Sequence, residues 1–159
     1  MTFPHTAKID TTALAGMKHL GSFISNLQLK SGAIPSNQDG SHDPWDHLEA
    51  VMGLATLGFN HEAMLGLEWM KDNQNEDGSW YNLYQGNEAI EKNKQSNFST
   101  YIAVAVWQNY LLTNDLSILE NFWSSIEKGM AFALSLQSTN GAIAWNVDEL
   151  GVVDEDYLL

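Results

Sequence analysis

The sequence predicts an all-α chain whose helices pair into hairpins and trace an incomplete ring. Three observations carry that expectation: a helix-stop frame repeated three times, an alternation of uniformly apolar with amphipathic helices, and a last stretch that reads as the start of another helix. The frame sets an aromatic five positions before a glutamine and a glycine four positions after it: Phe23/Gln28/Gly32, Trp69/Gln74/Gly78 and Phe132/Gln137/Gly141. The first and third copies continue alike, as Gly32-Ala33-Ile34 and Gly141-Ala142-Ile143. One such stop is commonplace; three in register mark a repeat. The aromatic anchors the apolar stripe of its helix. The glutamine amide ties the last orphan carbonyls to the next turn, and the glycine takes a left-handed backbone.

The elements follow in order. Thr11 or Thr12 caps a first helix to about Leu29, with Leu14, Met17, Leu20, Ile24 and Leu27 at helical spacing. Ser31 to Pro44 is a polar loop punctuated by Gly, Pro, Asn and Asp. A second helix runs from Trp45 or Asp46 to Gly58 and carries almost no charge past its first turn, so it is expected to be buried on most sides. The third, capped by Asn60 and ending near Gln74, is amphipathic. Tyr81 to Gln95 reads as polar and irregular, with a short helical turn near Glu88 to Glu91. A fourth helix, about Phe98 to Leu112, is apolar all round through Tyr101–Trp107 and is expected to be buried; a fifth runs from Leu116 to about Gln137. Inner helices that touch others all round, alternating with outer helices that face solvent on one side, are what a ring of hairpins requires. At roughly 50 residues per hairpin the 159 residues hold about two and a half, and are expected to be the N-terminal part of a longer chain.

Composition bounds the function. Hydrophobic residues at 44% and aromatics at 11% give a globular chain with a real core. No apolar run approaches the ~20 residues that span a bilayer, and Met1 to Asp10 lacks the pattern of a secretory signal. There is no cysteine, which excludes disulfides, thiolate zinc sites and cysteine nucleophiles within this chain and leaves a cytoplasmic location as the default. A net charge of −13 argues against nucleic acid. All seven basic residues are lysines. Without arginine forks, a diphosphate would have to be held by Lys, helix N-termini or a carboxylate-bound metal.

The pattern Gly66-x-x-Trp69-Met70-x-x-x-Gln74-x-x-x-Gly78-x-Trp80 resembles the Gln-Trp repeat of squalene and hopene cyclases, which share an α/α toroid with protein prenyltransferase β subunits. Asp43-Pro44-Trp45-Asp46-His47-Leu48-Glu49-Ala50-Val51-Met52 and Asn97-Phe98-Ser99-Thr100-Tyr101-Ile102-Ala103-Val104 look like bacterial prenyltransferase/squalene oxidase-repeat proteins. The resemblance covers about Gly32 to Trp145 and implies an α/α toroid handling an isoprenoid. The chain departs from these families in its chemistry. The Asp-x-Asp-Asp acid of class II cyclases is absent, with Asp154-Glu155-Asp156-Tyr157 giving half of it. The Asp-Asp-x-x-Asp magnesium motif is missing, and no cysteine is present to complete the zinc set of protein prenyltransferases.

The densest candidate site is His42-Asp43-Pro44-Trp45-Asp46-His47-Leu48-Glu49, at the start of an inner helix. Asp46 and Glu49 share a helix face, where one carboxyl held neutral by burial can act as a general acid beside an ionised partner. Asp46, Glu49 and His47 are the candidate catalytic residues; Asp43, Trp45, Asn97, Tyr101 and Trp80 are the candidate substrate-binding ones. Capping is the competing account. Asp43 or Asp46 suits an N-cap, Glu49 three residues after Asp46 resembles a capping box, and Asn97 or Ser99 can cap the fourth helix. Capping leaves His42, Trp45 and His47 unexplained. Asp43 and Asp46 with His42 or His47 can also be arranged around a divalent ion, but without a tight spacing signature no metal ligand is assigned, and magnesium is left open as a cofactor. Trp45, Trp80, Tyr81, Tyr84, Trp107 and Trp145 supply aromatic faces that suit carbocations or pyranose rings, or simply a core.

Three functions remain. The resemblance puts first a prenyltransferase or terpenoid cyclase-like transferase. The alternative is a carbohydrate-active, six-hairpin glycosidase-like enzyme using two carboxylates, such as Asp46 with Glu49 or with Asp156. The third is a non-catalytic binding toroid. The expected partners are a small-molecule substrate (isoprenoid or sugar), a membrane surface touched peripherally and a missing C-terminal segment, with no nucleic acid.

Overall fold

Asp43 stops the chain in an extended conformation, φ −103 and ψ 163, and its carboxylate accepts from the Asp46 N–H at 2.8 Å. With Pro44 as the first helical residue, this caps the inner helix from which the candidate site projects. The computed structural model describes residues 11–154. Its helices are α1 (Thr11–Leu27), α2 (Pro44–Thr56), α3 (Asn60–Asp72), α4 (Ser96–Thr113) and α5 (Leu116–Ser135). Four short strands join them: β1 (Ser41–His42), β2 (Tyr81–Gln85), β3 (Glu88–Gln95) and β4 (Asn146–Val147). α2 packs on α3, α4 on α5, and the two inner helices α2 and α4 pack on each other. The chain is an arc of an α/α toroid built from Gln–Gly hairpin units.

Two glycines let the outer helices close on the inner ones. A Cβ on Gly66 would strike the Val51 side chain, and one on Gly129 would strike the Ser99 carbonyl. Behind these contacts lies one core that includes Leu48, Val51, Leu54, Leu67, Trp69, Met70, Trp80, Ile102, Val106 and Phe122. Trp80 is fully buried and donates its indole N–H to the Met70 carbonyl at 2.7 Å. Burial of such side chains supplies most of the driving force, about 1.5–3 kcal/mol each.

Several local expectations are corrected. Tyr81 to Gln95 is not irregular, and Glu88 to Glu91 is not a helical turn; β2 and β3 form a hairpin with Gln85 opposite Glu88. The two residues between them are Gly86 and Asn87, and Gly86 takes φ +62, which suits a two-residue hairpin turn. β1 joins this hairpin through Ser41 opposite Gln85, and β4 through Gln95 opposite Asn146, giving an antiparallel sheet in the order β1-β2-β3-β4. Asn60 is not the cap of α3 but its first residue; Phe59 holds the cap position without a side-chain bond. Neither Asn97 nor Ser99 caps α4, which starts after Gln95. α4 is also less covered than its apolarity implies, for Val104, Trp107 and Leu111 are at least half exposed. The side chains of Thr11 and Thr12, and the residues from Glu155 onward, including Asp156 and the expected further helix, lie outside the described residues.

Candidate functional site

The first turns of α2 and α4 stand side by side, and their side chains meet over the open face. The Trp45 and Tyr101 rings lie parallel, 3.9 Å apart and tilted by 5°. Glu49, one turn along α2, accepts from the Trp45 indole N–H at 2.8 Å and from the Tyr101 hydroxyl at 3.4 Å. One carboxylate thus locks the aromatic pair across two helices. Burial, then the nearby Glu49 charge and hydrogen bond, push the Tyr101 hydroxyl up, so it stays a donor. Asn97, one turn before Tyr101, accepts from the Trp145 indole N–H at 2.7 Å, and Gln95 accepts from the same group at 3.0 Å. Trp145, in the loop after α5, extends the aromatic face and is 39% exposed. A cavity of about 130 Å³ lies beside Asn97, lined also by Ser96 and Thr100.

Two further carboxyl groups stand at the start of α2, on either side of Trp45 in sequence. Asp46 is exposed on the first turn of α2. Asp43 is half-buried, and its carboxyl is pushed up by burial, an effect partly offset by the Asp46 N–H it accepts and reinforced by the Asp46 charge. A raised carboxyl at a helix N-terminus is notable because the helix dipole favours the ionised form; here burial outweighs it. Asp43 is therefore a cap whose carboxyl is also raised by burial. The Asp46–Glu49 capping box is not formed.

The other predicted site residues lie elsewhere. His47 is fully buried, accepts from the Ile34 N–H at Nδ1 over 3.2 Å and donates from Nε2 to the Gly66 carbonyl at 3.0 Å. Those partners fix a neutral ring, and burial pushes it down to about 3. Instead of facing substrate, His47 joins α2 to α3 and to the loop before β1. His42 is equally buried, 4.8 Å from the Trp69 ring centre, with neither ring nitrogen bonded to a protein group, and is pushed down to about 4 by burial. Trp80 belongs to the core rather than to the face. Sequence reasoning named Trp145 only as one aromatic among six and missed Gln95; the signal available was Trp145 following the third repeat glycine by four residues. Among the described residues no group of three or more His, Asp or Glu side chains is placed to hold a metal, and no helix is long and apolar enough to cross a membrane.

No family model matches the chain. Over 135 residues it is 34% identical to the "MMP endo-(1,4)-3-O-methyl-alpha-D-mannosidase" of Mycolicibacterium hassiacum. That relative is named as a glycosidase. The match takes in 85% of this chain but 38% of the relative, so the chain spans well under half of the protein it resembles. A solved structure described as a novel alpha-amylase from Clostridium perfringens superposes with a TM-score of 0.59 at 12% identity, over 89% of this chain and 47% of that one. At that identity the likeness speaks to the fold. The mannosidase match overturns the isoprenoid expectation: the prenyltransferase and terpenoid cyclase resemblance, and the transferase activity drawn from it, give way to a glycosidase likeness. The physical reason lies in the repeat itself. Its aromatic, glutamine and glycine serve helix packing, and packing carries no information about the bond being broken.

Proposed function

We propose that this chain forms part of a carbohydrate-active enzyme that hydrolyses a neutral, mannose-type glycan along the α2/α4 face. The observation that carries the reading is Asp43, a carboxyl raised by burial and set beside exposed Asp46 and the locked Trp45–Tyr101 pair. The 34% identity to a mannosidase supports it. Asp43, its carboxyl raised by burial, serves as general acid to the glycosidic oxygen; Asp46 offers its carboxylate to the positive charge that grows on the sugar ring, and water forms the new bond to that carbon. The edges of Trp45 and Tyr101 and the indole of Trp145 give apolar walls to pyranose rings, and Asn97 sets the Trp145 orientation. Asp43 and Asp46 sit within a single helical turn. An inverting reaction keeps its two carboxyls roughly 6.5–9.5 Å apart to admit a water, so such a reaction would draw its base from another inner helix.

The test is hydrolysis of α-1,4-linked mannose oligosaccharides, methylated and plain, by the complete protein and by Asp43→Asn. Asparagine caps a helix about as well as aspartate, so the substitution removes the proton and keeps the cap. The expected result is a loss of kcat of about 10²–10⁴-fold with an unchanged melting temperature. Full activity in the variant, or no hydrolysis of either sugar by the parent, would reject the proposal.

A further inference from the structure

Two of the three repeat turns are filled by a neighbouring helix in the same way. Gln28 Nε2 donates to the Gly32 carbonyl of its own turn at 3.0 Å and to the Glu62 carbonyl of α3 at 2.9 Å. Gln74 Nε2 donates to its own Gly78 carbonyl at 2.9 Å and to the Ser125 carbonyl of α5 at 2.9 Å. The turn glycine meets the same helix three residues further on: a Cβ on Gly32 would strike the Leu65 carbonyl, and one on Gly78 the Lys128 carbonyl. Each incoming helix thus offers two backbone carbonyls three residues apart, followed at once by the glycine that seats it on its own inner helix, Gly66 or Gly129.

The third turn has the same parts and half the contacts. Gln137 Nε2 donates to the Gly141 carbonyl at 2.9 Å and, among the described residues, to no second carbonyl. Among the described residues, a Cβ on Gly141 would meet nothing within 4 Å. In place of a helix there is a cleft of about 530 Å³, lined among others by Gln137, Thr139, Asn140 and Val153. Beside it, Met130 and Leu134 of α5 are 42% and 57% exposed.

We propose that the Gln137–Gly141 turn is an interaction surface for the outer helix of one further hairpin of this repeat, supplied by the same polypeptide. The occupant is defined by its chemistry: an amphipathic helix with two approachable carbonyls three residues apart, a glycine directly after them, and an apolar stripe for Met130 and Leu134. The matched region is 38% of the mannosidase and 47% of the amylase, so each has ample chain outside it for such hairpins. The inference rests on packing alone and does not depend on the sugar reading. The competing occupant is α1 of a second copy, another outer helix of the repeat, whose Met17, Leu20 and Phe23 are exposed.

These 159 residues hold no cysteine, so once any cysteine in the rest of the polypeptide is replaced by serine, single thiols report cleanly. In the complete protein, Met130→Cys places a thiol where the counterparts beside the two filled turns, Gly21 and Leu67, are buried, and Glu76→Cys places one on a turn that stays exposed with its helix docked. The expected result is maleimide labelling of the first at least tenfold slower than of the second, independent of protein concentration. Equal rates would overturn the proposal, and so would protection that rises with concentration, which assigns the cleft to a second copy. An independent readout is the melting temperature of Gln137→Ala. It should fall about as far as that of Gln74→Ala in the same protein; an unchanged value overturns the proposal.

Discussion

At the scale of single residues, burial sets the chemistry of the ionisable groups. His42 and His47 are kept neutral, at about 4 and about 3, because the core disfavours their charged forms. Above about pH 6.5 neither the folded nor the unfolded chain protonates them, and they leave stability unchanged. Below it the unfolded chain takes up protons that the folded chain refuses. Stability therefore falls by about 1.4 kcal/mol per pH unit for each ring, down to about 4 for His42 and about 3 for His47. Urea unfolding between pH 7 and pH 4 measures this slope, and His42→Phe should reduce it by one ring's share. Since neither His42 nitrogen has a protein partner, the same variant should lose no stability at pH 7. At the site, Asp43→Ala removes both the proton and the cap and should cost about 1 kcal/mol, a loss that Asp43→Asn escapes; paired denaturant curves separate the two roles.

At the scale of elements, glycine decides how closely helices approach. Gly129→Ala drives a methyl group at the Ser99 carbonyl and should destabilise by about 1–3 kcal/mol. Gly53→Ala, inside α2 with open space around it, should instead stabilise by about 0.5–1 kcal/mol. Thermal melts of the two variants should shift in opposite directions. Helices were legible in the sequence because their apolar residues recur at helical spacing over a dozen positions or more. Their starts were less so: Asp43 was recognisable as a cap, whereas Phe59 and Gln95 make no side-chain cap bond for a reader to find. The β2–β3 hairpin reads as irregular because β3 is Glu88-Ala-Ile-Glu-Lys-Asn-Lys-Gln95, a half-exposed strand made largely of helix-favouring residues. Its Gly86-Asn87 turn held the signal. Pairing with β2 on one side and β4 on the other overrides local preference.

At the scale of the whole molecule, the repeat told the truth about architecture and misled about activity. Phe23, Trp69 and Phe132 with their glutamines and glycines recur because each hairpin must dock on the next, and that need is shared by toroids of unrelated chemistry. The candidate site was legible where charged and aromatic residues cluster in sequence, as at Asp43–Glu49. The partner residues on α4 and in the loop after α5 come to it only through the fold. No local signal could pair Glu49 with Tyr101 across 52 positions, or Trp145 with Asn97 across 48. Nor could spacing reveal that His47, between two candidate carboxyls in sequence, turns inward to hold Ile34 and Gly66.

The open face carries the acidic residues Asp46 and Glu49 beside Asp43, on a chain of net charge −13 that holds no arginine. Such a surface filters ions. Uronate, sulfated or phosphorylated glycans approach against a repulsive field, while neutral chains do not feel it. Raising ionic strength from about 0.01 M to about 0.15 M shortens the range of that field from about 30 Å to about 8 Å. Turnover of a neutral glycan should stay level across that change, while binding of an anionic analogue should strengthen.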